Sequence, residues 1–244
     1  MMGTTRERRP ALGATLRRFS GWVAYGTGSA MMFAMTIAAA PAQAGDADIA
    51  AGRVIAVQGA AAGQPACAAC HMADGAGQPE GGIPALAGLN AGYIRDQLTF
   101  FAEGQRTHPI MQPFAKMLTA EQRGQVAAYF ASLPVPAPAE STPPPQSLLE
   151  TGRRLFQDGD FRTGLLACAS CHGPDGQGVG DFSPRLAGQS ATYVTEQLDT
   201  WKAGNQRDPN GAFMRAESGH LSDADIAAVA AFIEVLTKGK DNKP

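Results

Sequence analysis

The sequence predicts an all-α protein assembled from two tandem copies of one small domain, and three observations carry that expectation. First, the 244-residue chain aligns with itself at a shift of 100 to 103 residues. Gly52-Arg53 meets Gly152-Arg153, Asp74-Gly75-x-Gly77 meets Asp175-Gly176-x-Gly178, and Pro84-x-Leu86-Ala87-Gly88 meets Pro184-x-Leu186-Ala187-Gly188. Tyr93 and Gln97-Leu98 meet Tyr193 and Gln197-Leu198, Met111 meets Met214, and Tyr129 and Leu133 meet Phe232 and Leu236. Such self-similarity marks a duplicated unit, here of about 90 to 95 residues per copy. Second, the apolar residues recur with helical spacing and nowhere with a convincing strand alternation. Third, a proline-rich stretch separates the copies, as a linker should.

From the N-terminus, Arg6, Arg8, Arg9, Arg17 and Arg18 precede an apolar stretch from about Trp22 to Ala40, and Ala42-Gln43-Ala44 follows as a small-x-small triplet. That is the layout of a secretory signal, so residues 1–44 are expected to be removed after Ala44. A retained anchor is the alternative; the apolar run is near the lower limit for spanning a bilayer, but Gly26, Gly28 and Ser29 dilute it. Without this segment the chain carries 15 basic and 21 acidic residues, a formal net charge of −6. The acids are scattered and no basic face stands out, which excludes nucleic acid as a partner.

Residues 45–133 form the first copy and 148–244 the second. In each, the last helix is the plainest element. Thr119-x-x-Gln122 and Ser222-x-x-Asp225 read as capping boxes. Behind them Val126, Tyr129, Phe130 and Leu133, and likewise Ile226, Val229, Ala230 and Ile233, fall at i, i+3, i+4 and i+7 and make one apolar face. An earlier helix is expected at 93–102 and 193–203, each followed by a glycine suited to end it. Gly- and Pro-rich loops lie between. The linker, 134–147, holds six prolines in fourteen residues, which forbids a helix interior or a central strand and makes an extended, semi-rigid spacer.

All four cysteines fall in two pentapeptides, Cys67-Ala-Ala-Cys70-His71 and Cys168-Ala-Ser-Cys171-His172. Three chemistries compete for this pattern. Zinc wants four ligands per structural site and each motif offers three. A redox dithiol or disulfide needs no adjacent histidine. Covalent haem attachment uses every residue: two thiols on one helical turn bond to the porphyrin edge, and the next residue, His, lies beneath the iron. Two c-type haems are therefore expected, on Cys67, Cys70, Cys168 and Cys171. They also answer a shortage of core: aromatics are only 7% of the chain, with 29 Gly and 17 Pro, thin material for two small protein-only interiors.

His71 and His172 would be one axial ligand each. Candidates for the other are His108, Met111 and Met117 in the first copy and Met214 and His220 in the second. Only Met111 and Met214 match in register, in a segment that reads as loop, so they are the expected partners, against core packing as the simpler role of a methionine. His108 and His220 are expected to be exposed loop residues. Pro84 and Pro184 are either simple turn prolines or carbonyl acceptors for the proximal histidine, and the sequence does not choose. Arg106 and Arg207 are candidates to pair with haem propionates, although solvated arginines are the simpler expectation.

With these residues placed, the P-x-L-A-G…Y…Q-L…G…R…M…L-[ST] pattern after each CxxCH resembles the dihaem cytochromes c4, two class I cytochrome c domains in tandem, over nearly all of the chain beyond the signal. The resemblance implies an all-α fold of two small domains, each around one covalent haem with His and Met ligands: His71 with Met111, and His172 with Met214. It implies an electron carrier rather than an enzyme, working in the periplasm between a respiratory donor complex and a terminal oxidase or reductase, in association with the periplasmic face of the inner membrane. Two readings rival it: the cytochrome subunit of a periplasmic dehydrogenase, and a dihaem enzyme such as a peroxidase or thiosulfate-oxidising cytochrome, which would need an open iron. Two departures from the pattern stand out. Met72 follows His71 where Gly173 follows His172, and the linker is long and proline-rich, which counts against close, fixed packing of the two copies.

Overall fold

The computed structural model describes residues 45–60, 63–135 and 143–236; the expected signal segment and half of the linker lie outside them. Among the described residues ten α-helices and one 3-10 turn (Pro79–Gly81) form, with no strand beyond three isolated bridges. The first copy contains α1 (Asp46–Gln58), α2 (Ala68–His71), α3 (Ala91–Glu103), α4 (Met111–Lys116) and α5 (Ala120–Ser132). The second contains α6 (Gln146–Asp158), α7 (Ala169–His172), α8 (Ala191–Lys202), α9 (Ala212–Ser218) and α10 (Asp223–Val235).

The expected capping boxes start α5 and α10: Thr119 and Ser222 accept from the backbone N–H three residues on, and Gln122 and Asp225 reach back. Their apolar faces are buried, with Phe130 fully enclosed and Ile226 and Val229 nearly so. The helices expected at 93–102 and 193–203 are α3 and α8, and Gly104 closes α3 with φ 76°.

Three expectations are corrected. The sequence pattern did not reveal α1 and α6, and α6 begins at Gln146, two residues inside the segment assigned to the linker. Both helices cross the last helix of their copy through a glycine. A Cβ on Gly52 would overlap the Gln125 carbonyl oxygen, and one on Gly152 the Ala228 carbonyl oxygen. The crossing residue of each helix is a glycine, which carries no apolar signal of its own, although Leu148, Leu149, Leu155 and Phe156 do line one face of α6 with Gly152. Next, the segments carrying Met111 and Met214 are the short helices α4 and α9 rather than loops.

The third correction concerns packing of the copies. Despite the long linker they lie in one compact unit and share buried hydrogen bonds, among them Gln189 Nε2 donating to the Ala85 carbonyl at 3.0 Å and Arg185 Nη2 to the Ala87 carbonyl at 3.2 Å. A proline-rich spacer limits local conformation without dictating how far apart its ends stand.

Two outcomes follow for stability of the haem-loaded protein. Gly52→Ala and Gly152→Ala each force a helix pair apart and cost about 1–3 kcal/mol in denaturant unfolding. Met72 ends α2 with φ 65° and ψ 157°, where Gly173 ends α7 with φ 82° and ψ 152°. That region suits glycine and strains other residues by about 1–3 kcal/mol. Met72→Gly is therefore expected to raise the melting temperature despite the added freedom of the unfolded chain.

Candidate haem sites

Each CxxCH closes one helical turn, with the histidine N–H donating to the first cysteine's carbonyl at 2.9 Å in both copies. No disulfide joins the four cysteines; Cys67 and Cys168 are half-buried, while Cys70 and Cys171 are exposed. Burial holds the Cys67 thiol above its ordinary pKa and pushes Cys168 up to about 12. Among the described residues no three His, Cys, Asp or Glu side chains gather as a metal-binding group.

The histidines decide the open question about the prolines. His71 and His172 are each 7% exposed. His71 Nδ1 lies 3.0 Å from the Pro84 carbonyl oxygen, and His172 Nδ1 lies 2.8 Å from that of Pro184. A carbonyl only accepts, so each Nδ1 carries the proton and each Nε2 keeps its lone pair. Burial lowers both imidazole pKa values, and the proline contact offsets this in part. The result is a neutral imidazole with one ring nitrogen anchored and the other available to iron, the arrangement common to metal-bound histidine.

The proline loops are themselves pinned from two sides. Leu86 and Ala87 N–H both donate to the Gly75 carbonyl, just past the CxxCH turn, and Gly88 N–H donates to Phe130 in α5. Leu186, Ala187 and Gly188 repeat this on Gly176 and Ile233.

Met111 is the first residue of α4 and Met214 the third of α9; both are half-buried. Met214 packs against the same core cluster as Cys168. Met111 lies outside the first copy's cluster, which Cys67 joins. Met117 is 44% exposed, and His108 and His220 are exposed as expected. His108 also shapes the local backbone. Its Nδ1 accepts from the Ile110 and Met111 N–H groups, both at 3.2 Å, and holds the turn that presents Met111. In the second copy Asp208 holds the corresponding turn through Asn210 N–H at 2.9 Å.

The arginines are not solvated surface residues. Arg106 of the first copy donates to Tyr193 Oη at 3.3 Å and to Gln197 Oε1 at 3.2 Å in the second, and to its own Gln97 at 2.6 Å. Arg207 of the second donates back to Tyr93 Oη at 3.3 Å, and to Gln197 Oε1 at 2.9 Å. Each guanidinium also stacks 4.5 Å from an aromatic ring, Phe101 and Trp201 respectively. Arg207 pairs with Asp208 at 2.7 Å. Burial opposes the charge on Arg207, but Tyr93, Tyr193 and Asp208 outweigh it and raise its pKa. Burial likewise works against ionising Tyr193, and Arg106 and Arg207 outweigh it, lowering that pKa.

This cluster tests whether the residues fit a haem. Two guanidinium groups face one carboxylate, and Trp201 Nε1, on the ring stacked with Arg207, is buried without a partner. Propionate carboxylates would supply both the missing negative charge and the missing acceptor. With the anchored imidazoles and paired thiols, the residues fit one covalent haem per copy.

Fold and site thus define a tandem c-type haem protein, and the chain belongs to the cytochrome c family, whose sequence pattern matches residues 56–134 and 149–237. It carries two haem c groups, one per domain, and is a dihaem electron carrier by class. It is 42% identical over 171 residues to a thiosulfate dehydrogenase electron acceptor of Stutzerimonas stutzeri (strain A1501), covering 68% of this chain and 77% of that protein. Among solved structures it resembles reduced cytochrome c4 from Pseudomonas stutzeri, with 30% identity, TM-score 0.67, and coverage of 80% of this chain and 100% of the other. It also resembles thiosulfate dehydrogenase (TsdBA) from Marichromatium purpuratum, with 37% identity, TM-score 0.69 and 80% of this chain covered. The match spans 42% of that longer chain.

Removing Arg207 leaves Asp208, whose side chain is 1% exposed, as a buried carboxylate without its cation. Arg207→Gln is expected to cost about 3–5 kcal/mol in denaturant unfolding of the holoprotein.

Proposed function

We propose that this chain is a periplasmic electron acceptor that takes single electrons from a thiosulfate-oxidising dehydrogenase and passes them to a respiratory acceptor such as a terminal oxidase. The observation that carries the reading is the anchored imidazole in each copy, taken with a methionine that matches in repeat register. His71 with Met111, and His172 with Met214, would fill both axial positions of each iron and leave none for a substrate. When bound, each haem supplies a one-electron ferric–ferrous couple, and an axial methionine raises its potential. The chain's own residues hold that couple in place: Cys67, Cys70, Cys168 and Cys171 by thioether bonds, Pro84 and Pro184 by fixing the imidazoles, Arg106 and Arg207 by charge at the domain boundary.

The donor is inferred from relatives named as thiosulfate dehydrogenase electron acceptors and from the longer solved chain titled thiosulfate dehydrogenase. Likeness to cytochrome c4 supports a second reading, a general carrier to a terminal oxidase. Both readings need export. The basic and apolar segment before Ala44 favours it, and among the described residues no helix is long and apolar enough to cross a membrane.

An anaerobic potentiometric titration with optical spectra tests the ligands. Two low-spin haems should titrate, both with the weak red band of methionine-ligated ferric haem. Met111→Ala and Met214→Ala should each remove one haem's share of that band. Each should also lower the potential of its own haem, by about tenfold or more in reduced-to-oxidised ratio at fixed ambient potential. Stopped-flow mixing with a purified thiosulfate dehydrogenase and thiosulfate tests the donor. Rapid reduction of both haems is the expected outcome. Reduction only by a quinol-oxidising complex would favour the general carrier.

A further inference from the structure

The two P-x-L-A-G loops meet at the boundary between the copies, and they meet unequally. Gln189 follows the second loop and is 6% exposed. Its Oε1 accepts from Ala85 N–H at 3.0 Å and from Ser190 N–H at 3.1 Å, and its Nε2 donates to the Ala85 carbonyl at 3.0 Å. A backbone N–H only donates and a carbonyl only accepts, so this orientation of the amide is forced. The N–H that Gln189 takes belongs to the Pro84–Ala85 peptide, the same peptide whose carbonyl accepts from His71 Nδ1 at 3.0 Å. A continuous path therefore runs from the His71 ring through one peptide group of the first copy into a side chain of the second.

The reverse path does not exist. The residue in the first copy equivalent to Gln189 is Leu89, buried and apolar. Among the described residues no side chain accepts from Arg185 N–H, the group that corresponds to Ala85 N–H.

We propose that Gln189 is a positioning residue for the other domain's haem: by capping the Pro84–Ala85 peptide it strengthens the His71 hydrogen bond and lowers the first haem's potential relative to the second. The inference rests on His71 being the proximal ligand of the first haem. Donation by a peptide N–H polarises its carbonyl into a better acceptor, an effect of about 10–30% per bond. A better acceptor draws on the Nδ1 proton and makes Nε2 a stronger donor to iron, which favours the ferric state. The first haem is then tuned by docking of the second domain, while the second haem has no such partner.

The test is an NMR-monitored redox titration of the holoprotein, with haem methyl resonances assigned to each domain, on Gln189→Leu, Gln189→Glu and Arg185→Met. Gln189→Leu places at this position the residue found in the other copy. It should raise the first haem's potential by about two- to tenfold in reduced-to-oxidised ratio, where tenfold is about 59 mV for one electron. The second haem should stay unmoved, and the His71 Nδ1 proton should shift upfield in the reduced protein. Gln189→Glu keeps an acceptor for Ala85 N–H and should hold the first potential at or below the parent value. Arg185→Met removes another hydrogen bond across the same boundary without touching the Ala85 peptide, and should not raise the first potential. Equal shifts in both haems, a matching rise in Arg185→Met, or an unmoved first haem in Gln189→Leu overturns the proposal. Should Gln189→Leu loosen the domains, Gln189→Glu decides alone, a raised first potential counting against. No electron donor is involved, so failure here leaves the proposed function untouched.

Discussion

Both haem sites depend on one hydrogen bond, from a histidine Nδ1 to a proline carbonyl. That contact selects the tautomer, turns the ring and leaves Nε2 as the available nitrogen. It holds only because the carbonyl cannot move. Proline restricts its own backbone, and the residues after it are bonded both to the glycine beyond CxxCH and to the last helix of the domain. The glycine-crossed helix pair keeps that last helix in place. The packing of α1 on α5 and of α6 on α10 thus reaches the histidine through three short connections.

Much of this was legible in the sequence because local chemistry wrote it there. CxxCH makes one turn, capping boxes mark the starts of α5 and α10, and period 3.6 shows a buried face. The expected exposure of His108 and His220 is also what the structure has. What escaped was written in contacts rather than patterns. Helices α1 and α6 meet the last helices through Gly52 and Gly152, where a small side chain is the requirement and leaves no trace in an apolar pattern, although Leu155 and Phe156 of α6 are buried beside it. The arginines looked solvated because their tyrosine partners lie 87 to 114 positions away and belong to the other copy. Nothing in a proline-rich linker reveals that the copies it joins share buried hydrogen bonds.

The duplication is close to symmetric in its skeleton and unsymmetric where the copies touch. Arg106 and Arg207 trade places across the boundary, each reaching the other domain's tyrosine. Around this exchange the chemistry departs from twofold symmetry. Asp208 pairs with Arg207, while His108 holds the matching turn without offering a charge to Arg106. Leu89 stands opposite Gln189, and Ala85 opposite Arg185, whose buried guanidinium has its pKa drawn down to about 10 by desolvation. Two haems in nearly identical frames therefore experience different surroundings, which is the physical requirement for two distinct potentials in one small chain.

The exchanged arginines also tie each domain's face to the other's. Cut through the linker, either half would keep a tyrosine whose donor had left and an arginine stripped of its phenol, on a face built to be dry. Each domain holds its own CxxCH, yet each shares hydrogen bonds at the boundary with its neighbour. The carrier is the pair, and a partner protein meets two haem domains already joined to one another.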